Sequence, residues 1–176
     1  HALPGMLANT NYAALSGTSV FWDFVELPSQ IMENWCYEKE ALELFAKHHK
    51  TNAVIPMEYI SKIKKAAHFQ QGLQTLRQLG FGFLDLSYHG KEIEGIQDVK
   101  NHEKKILERV QFSKDQPDNC SSTAFSHIFQ GGYSAGYYSY KWAEVLEADA
   151  FEAFKEMGIF NSKVAHKFRD HILSSG

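Results

Sequence analysis

F-V-E-L-P-S-Q-I-M-E-N-W, residues 24–35, places a carboxylate, Glu26, near the start of a largely apolar segment with helical spacing. From Phe24 the apolar positions Leu27, Ile31, Trp35 and Leu42 recur at three-, four- and seven-residue steps, which predicts a helix with one buried stripe. Pro28 falls near its start, where a proline is tolerated because the first-turn N–H groups have no acceptor within the helix. A lone glutamate there has an ordinary explanation, a favourable charge at the positive end of the helix dipole.

Outward from this segment the pattern stays helical. Pro56 opens a second helix carrying Tyr59, Ile60 and Ile63. Phe69, Leu73, Leu76, Leu79, Phe83, Leu84 and Leu86 form a long apolar stripe, read as helix although G-F-G-F at 80–83 weakens it and leaves room for a strand. Val99 to Val110 predicts a charged surface helix with Ile106, Leu107 and Val110 facing inward, ended by the turn-forming K-D-Q-P-D-N-C-S-S at 114–122. After a loop rich in glycine and tyrosine, Trp142, Val145, Leu146, Phe151 and Phe154 define a helix that Gly158 stops with a left-handed cap. A short helix from Asn161 or Ser162 carries Val164, Phe168 and Ile172 at four-residue spacing.

The expected fold class is therefore mainly α. With 176 residues, 44% of them hydrophobic and 14% aromatic, the chain can bury one core, and no repeat, low-complexity tract or linker divides it. A single helical domain over residues 1–176 is the expectation. Eighteen Lys and Arg against 21 Asp and Glu leave a net charge of −3 with no basic patch, which argues against nucleic acid as a partner. Cys36 and Cys120 lack the spacing of a zinc ribbon or a disulfide framework, so both are read as reduced thiols. No apolar run approaches the roughly 20 residues of a membrane helix, and residues 1–7 lack the features of a signal peptide. A membrane is not an expected partner.

Three blocks carry a resemblance: H-A-L-P-G-M-L at 1–7, W-D-F-V-E-L-P-S-Q-I-M-E-N-W at 22–35, and F-S-H-I-F-Q-G-G-Y-S-A-G-Y-Y-S-Y-K-W at 125–142. Over residues 1–46 and 120–157 the chain resembles the thimet oligopeptidase and peptidyl-dipeptidase family of zinc metallopeptidases, in particular its bacterial peptidyl-dipeptidase branch. Residues 47–119 match in helical character alone. The resemblance implies a multi-helix fragment of a zincin-like, all-helical peptidase domain, from the carboxyl-terminal part of the catalytic region and truncated at both ends. It also implies one zinc ion in the intact parent, short peptides as substrates, the rest of the catalytic domain as partner, and a cytoplasmic location.

A hydrolytic zinc site needs three protein ligands and an open position for water, whose pKa the metal lowers toward neutrality. An H-E-x-x-H helix supplies two ligands on one face, with its glutamate as general base for the water. By the resemblance, His1 is the closing histidine of that motif and Glu26 the third ligand, so the first histidine and the general base would precede this chain. The chain alone is then expected to be inactive and to hold zinc weakly or not at all. Glu33, two turns beyond Glu26, is either a group that orients a histidine ligand or a solvated helix glutamate.

A tetrahedral intermediate needs donors placed in advance for its oxyanion, and neutral tyrosine hydroxyls and a histidine N–H serve that purpose. The resemblance assigns Tyr140 as the main oxyanion donor, His127 and Tyr137 to catalytic assistance or substrate binding, and Tyr133 to contact with the bound peptide. Gly131, Gly132 and Gly136 give this loop backbone freedom. Without the resemblance, the same residues read as an aromatic hinge with its hydroxyls in water.

Pro4 departs from the family's H-A-L-H-G-M, and a proline inside an intact helix would cost about 3 kcal/mol. The function implied is zinc-dependent hydrolysis of short peptides with release of carboxyl-terminal dipeptides. The alternatives are an oligoendopeptidase of the same family and a non-catalytic helical module that binds peptides or a partner.

Overall fold

A computed structural model describes residues 1–112 and 119–175 of the chain. Among these the regular elements are helical, and the only β pairing is an isolated antiparallel bridge between Lys47 and Val54. The chain forms two compact units, one of His1–Phe69 with Trp142–Gly176 and one of Gln70–Lys141.

The first unit contains α1 (Ala2–Leu7), α2 (Leu27–Glu33), α3 (Lys39–Phe45), α4 (Met57–Ala67) and α9 (Ser162–Phe168). The continuous helix expected from Phe24 to Leu42 is broken. After α2 the chain tightens into a 3-10 turn at Asn34–Tyr37 and becomes extended at Glu38, with ψ 134°. The Asn34 side chain explains the change locally, since its amide donates to the Ile31 carbonyl at 3.3 Å and also to Glu147, competing with the helical pattern. The stripe is nevertheless buried: Ile31 is fully covered and Leu42 nearly so.

The core of this unit gathers Ile31, Phe151, Phe154, Phe168 and Leu173, with Trp35, Ile159 and Val164 packed against them. Trp35 meets Phe151 and Phe154 edge-on, each at 4.9 Å, and its indole N–H donates to the Ile159 carbonyl at 3.1 Å. Gly158 takes φ +100°, the left-handed cap read from the sequence. Asn161 then caps α9 by accepting from the Lys163 and Val164 N–H groups.

The second unit is built on α5 (Gln71–His89), α6 (Val99–Leu107) and α7 (Ser126–Phe129). The helix α5 runs straight through G-F-G-F, and Gly80 has a packing reason to lack a side chain. A Cβ there would sit 3.0 Å from Leu107 and 3.2 Å from Val110, where α6 and the turn after it come close. The inward face differs from the apolar stripe expected. Phe69 precedes the helix and is exposed, as are Leu73, Leu79 and Leu86, whereas Gly80, Leu84, Asp85 and Tyr88 are buried. These fall on one 3.6-residue face whose polar members an apolar pattern cannot include. Ile106, Leu107 and Val110 are half-buried as expected, and the first two join Leu84, Tyr88 and Ile128 in this unit's core. Residues 113–118, most of the predicted turn cluster at 114–122, lie outside the described residues. The helix α8 (Ser139–Met157) opens in this unit, and its residues from Trp142 onward belong to the first.

Candidate active site

The two proposed metal ligands lie in the first unit. His1 immediately precedes α1, whose place is set by the buried Pro4 and by the Asn9 N–H, which donates to the Ser174 carbonyl at 2.9 Å. Glu26 immediately precedes α2, flanked by the buried Val25 and Leu27. A carboxylate so buried, 4% exposed, is costly unless it is partnered. Ser29 donates its hydroxyl to Glu26 Oε2 at 2.8 Å, and His1 Nε2 lies 3.4 Å from the same oxygen.

That spacing suits a shared metal. Two donors of one tetrahedral zinc, each at about 2.1 Å, stand about 3.4 Å apart. Among the described residues no group of three or more His, Cys, Asp or Glu side chains is placed to hold a metal ion, and the two candidates stand as a pair. Glu33, at the end of α2, is exposed, as a solvated glutamate would be. A hollow of about 860 Å³ in this unit is lined by Tyr12, Leu15, Phe21 and Phe24 among others and includes neither candidate ligand.

The remaining candidates lie in the second unit and cluster there. Tyr133 and Tyr140 stack with centroids 5.1 Å apart, Tyr137 is 5.0 Å from Tyr140, and His127 is 5.7 Å from Tyr133 and 6.3 Å from Tyr137. The helix α7, anchored by the fully buried Ile128, presents His127 exposed, and the three tyrosines are half-buried. Tyr138, not assigned to the site, is 46% exposed.

Backbone chemistry holds the loop in this shape. The Ser126 carbonyl accepts from Gln130 and Gly131, and the His127 carbonyl accepts from Tyr133 at 3.0 Å. Gly131 is required by close approach, since a Cβ there would lie 2.7 Å from the His127 Cα. Tyr137 is caged by Phe81 and Phe125, and its hydroxyl donates to Gln78 Oε1 at 3.1 Å. Burial, reinforced by the neighbouring Tyr140, pushes the Tyr137 phenol above its ordinary value, so it stays neutral and able to donate.

Residues that sequence reasoning missed support both groups. Ser29 holds Glu26, Gln78 orients Tyr137, and the buried Asp85 accepts from the Ala135 and Tyr137 N–H groups at 2.8 Å each. One signal for Asp85 was present: a lone acid inside the apolar run F-L-D-L, four residues before His89.

The helical chain brings a histidine and a glutamate together in the first unit, and three tyrosines and a histidine together in the second. The chain belongs to peptidase family M3, whose model matches residues 1–176. The match therefore includes residues 47–119, which by sequence reading resembled the family in helical character alone. Among its relatives, Oligopeptidase A of Escherichia coli (strain K12) is 46% identical over 184 residues, covering 100% of this chain and 26% of its own length. Organellar oligopeptidase A, chloroplastic/mitochondrial, of Arabidopsis thaliana is 42% identical over 182 residues, covering 100% of this chain and 23% of its own length. Dipeptidyl carboxypeptidase of Escherichia coli (strain K12) is 37% identical over 178 residues, covering 100% of this chain and 26% of its own length. The chain spans about a quarter of the length of these curated relatives.

Proposed function

We propose that the full-length protein carrying this chain is a zinc-dependent peptidase that hydrolyses short peptides, with His1 and Glu26 as two of its zinc ligands. The observation that carries this reading is the 3.4 Å separation of His1 Nε2 and Glu26 Oε2, a distance suited to a shared tetrahedral metal, within a family of metallopeptidases. Bound zinc would supply a Lewis acid and a water acidified toward neutrality. Ser29 fixes the Glu26 carboxylate by donating to the same oxygen that faces His1. Tyr140 donates to the oxyanion, His127 and Tyr137 assist or bind substrate, and Tyr133 contacts the peptide. Gln78 accepts from the Tyr137 hydroxyl and so sets its direction.

Oligopeptidase action is the mode better supported, because the oligopeptidase A relative from Escherichia coli is 46% identical and the dipeptidyl carboxypeptidase from the same strain 37%. Release of carboxyl-terminal dipeptides is the second reading. A cytosolic location is proposed from the name of one relative, Probable cytosolic oligopeptidase A of Arabidopsis thaliana. No helix among the described residues is long and apolar enough to cross a membrane. The deciding experiment is digestion of defined short peptides by the purified full-length protein, with products weighed by mass spectrometry. Chelator-sensitive cleavage at internal bonds is expected. Carboxyl-terminal dipeptides as sole products would establish the second reading, and cleavage indifferent to chelation would overturn the metal-dependent one.

A further inference from the structure

We propose that Asp85 is a positioning residue for the tyrosine loop: its buried carboxylate, braced by His89, grips the backbone at Ala135 and Tyr137 and thereby sets Tyr137 beside Tyr140. The proposal rests on the peptidase reading above, and it goes beyond it by assigning a function to residues on α5.

Asp85 is fully covered, and a carboxylate in that position must find compensation. It finds it in the loop. Oδ1 accepts from the Ala135 N–H and Oδ2 from the Tyr137 N–H, each at 2.8 Å. Taking two backbone donors on separate oxygens suits an ionised carboxylate, since an amide of the same size offers one oxygen and turns an NH₂ toward the other donor. His89 Nδ1 lies 2.9 Å from Oδ1 and 2.9 Å from the Asp85 carbonyl, and because both neighbours are acceptors this nitrogen carries the proton.

The gripped backbone is strained. Ala135 has φ +56°, a left-handed conformation that a non-glycine residue rarely adopts and that persists only where its surroundings impose it. The two N–H groups on either side of Gly136 form a concave cradle for an anion, filled here by the carboxylate. One residue after the strained turn, Tyr137 enters its aromatic cage, and its carbonyl accepts from the Tyr140 N–H at 3.4 Å. The link from α5 to the tyrosines thus runs from Asp85 to the Tyr137 N–H and from the Tyr137 carbonyl to the Tyr140 N–H, within one unit.

The test is a double-mutant cycle in the full-length zinc-loaded enzyme, with kcat, KM, zinc content and thermal stability measured for Asp85→Asn, Tyr140→Phe and the pair. Asp85→Asn should keep its zinc and a KM within about threefold while kcat falls about 100-fold, the effect expected of a misplaced catalytic group. The pair should be no slower than the slower single variant, because Asp85 acts through the loop. Losses that multiply, or a normal kcat in Asp85→Asn, overturn the proposal and leave the peptidase reading standing. A normal kcat in Tyr140→Phe overturns the assignment of the tyrosine, and the proposal with it. Should Asp85→Asn fail to fold, His89→Ala at a partly exposed position serves the same cycle. It should lower kcat about 10-fold without multiplying the Tyr140→Phe loss, and an unchanged kcat overturns the proposal.

Discussion

Nε2 of His1 and Oε2 of Glu26 lie 3.4 Å apart, and that carboxylate oxygen also accepts from the Ser29 hydroxyl at 2.8 Å. A ligand and a group that merely orients it should respond differently to mutation. In the full-length protein Glu26→Ala should abolish both bound zinc and activity. Ser29→Ala should weaken zinc about 10-fold while the loaded enzyme keeps most of its turnover. Metal titration alongside steady-state rates checks both, and a Ser29→Ala enzyme with unchanged zinc affinity would show that this hydroxyl does not tune the ligand.

Tyr140 packs against Tyr133 and Tyr137. If its hydroxyl meets an oxyanion that exists only during attack, Tyr140→Phe removes stabilisation from the transition state alone. The expected result is a kcat lower by about 100-fold to 1,000-fold, about 3–4 kcal/mol, with KM and zinc content nearly unchanged. A zinc-loaded Tyr140→Phe enzyme with near-normal kcat would reduce the tyrosine to a packing role.

The 176-residue chain by itself should not cleave peptides above background. On the proposed reading His1 and Glu26 are two of the zinc ligands, and among the described residues no third His, Cys, Asp or Glu joins them to hold a metal ion, whereas water activation needs a third ligand and a general base. Incubating the purified chain with zinc and a short peptide tests this. Chelator-sensitive cleavage, or stoichiometric tightly bound zinc, would contradict it.

Glu103 supplies a pH-dependent element in the second unit. Burial alone would raise its pKa, but hydrogen bonds from the Ser122 hydroxyl and N–H, the Ser121 N–H and the Cys120 thiol outweigh burial and hold it below its ordinary value of 4.5. A depressed folded-state pKa contributes stability that is present above the unfolded value and is lost as pH falls through the folded one. Glu103→Gln should cost about 2–3 kcal/mol at neutral pH and flatten the decline in thermal stability below about pH 4.5. Melting curves from pH 7 to pH 3 on both proteins provide the measurement, and parallel curves would refute the assignment.

Most helices were legible in the sequence because their signals are local. Proline near the start of α2, the Asn161 cap and the left-handed Gly158 each act within one turn, so spacing and residue type are enough to reveal them. The candidate site residues come from motif resemblance, which names residues without placing them. What the fold alone decided is which residues meet. A run of apolar side chains marks α5 as a helix, yet its buried face includes Gly80, Asp85 and Tyr88, chosen by what packs there rather than by hydrophobicity. The bond between Asp85 and Ala135 spans 50 positions and leaves no periodic trace in the sequence. Its partners become worth pairing once both have left water, and tertiary structure is what removes them from it.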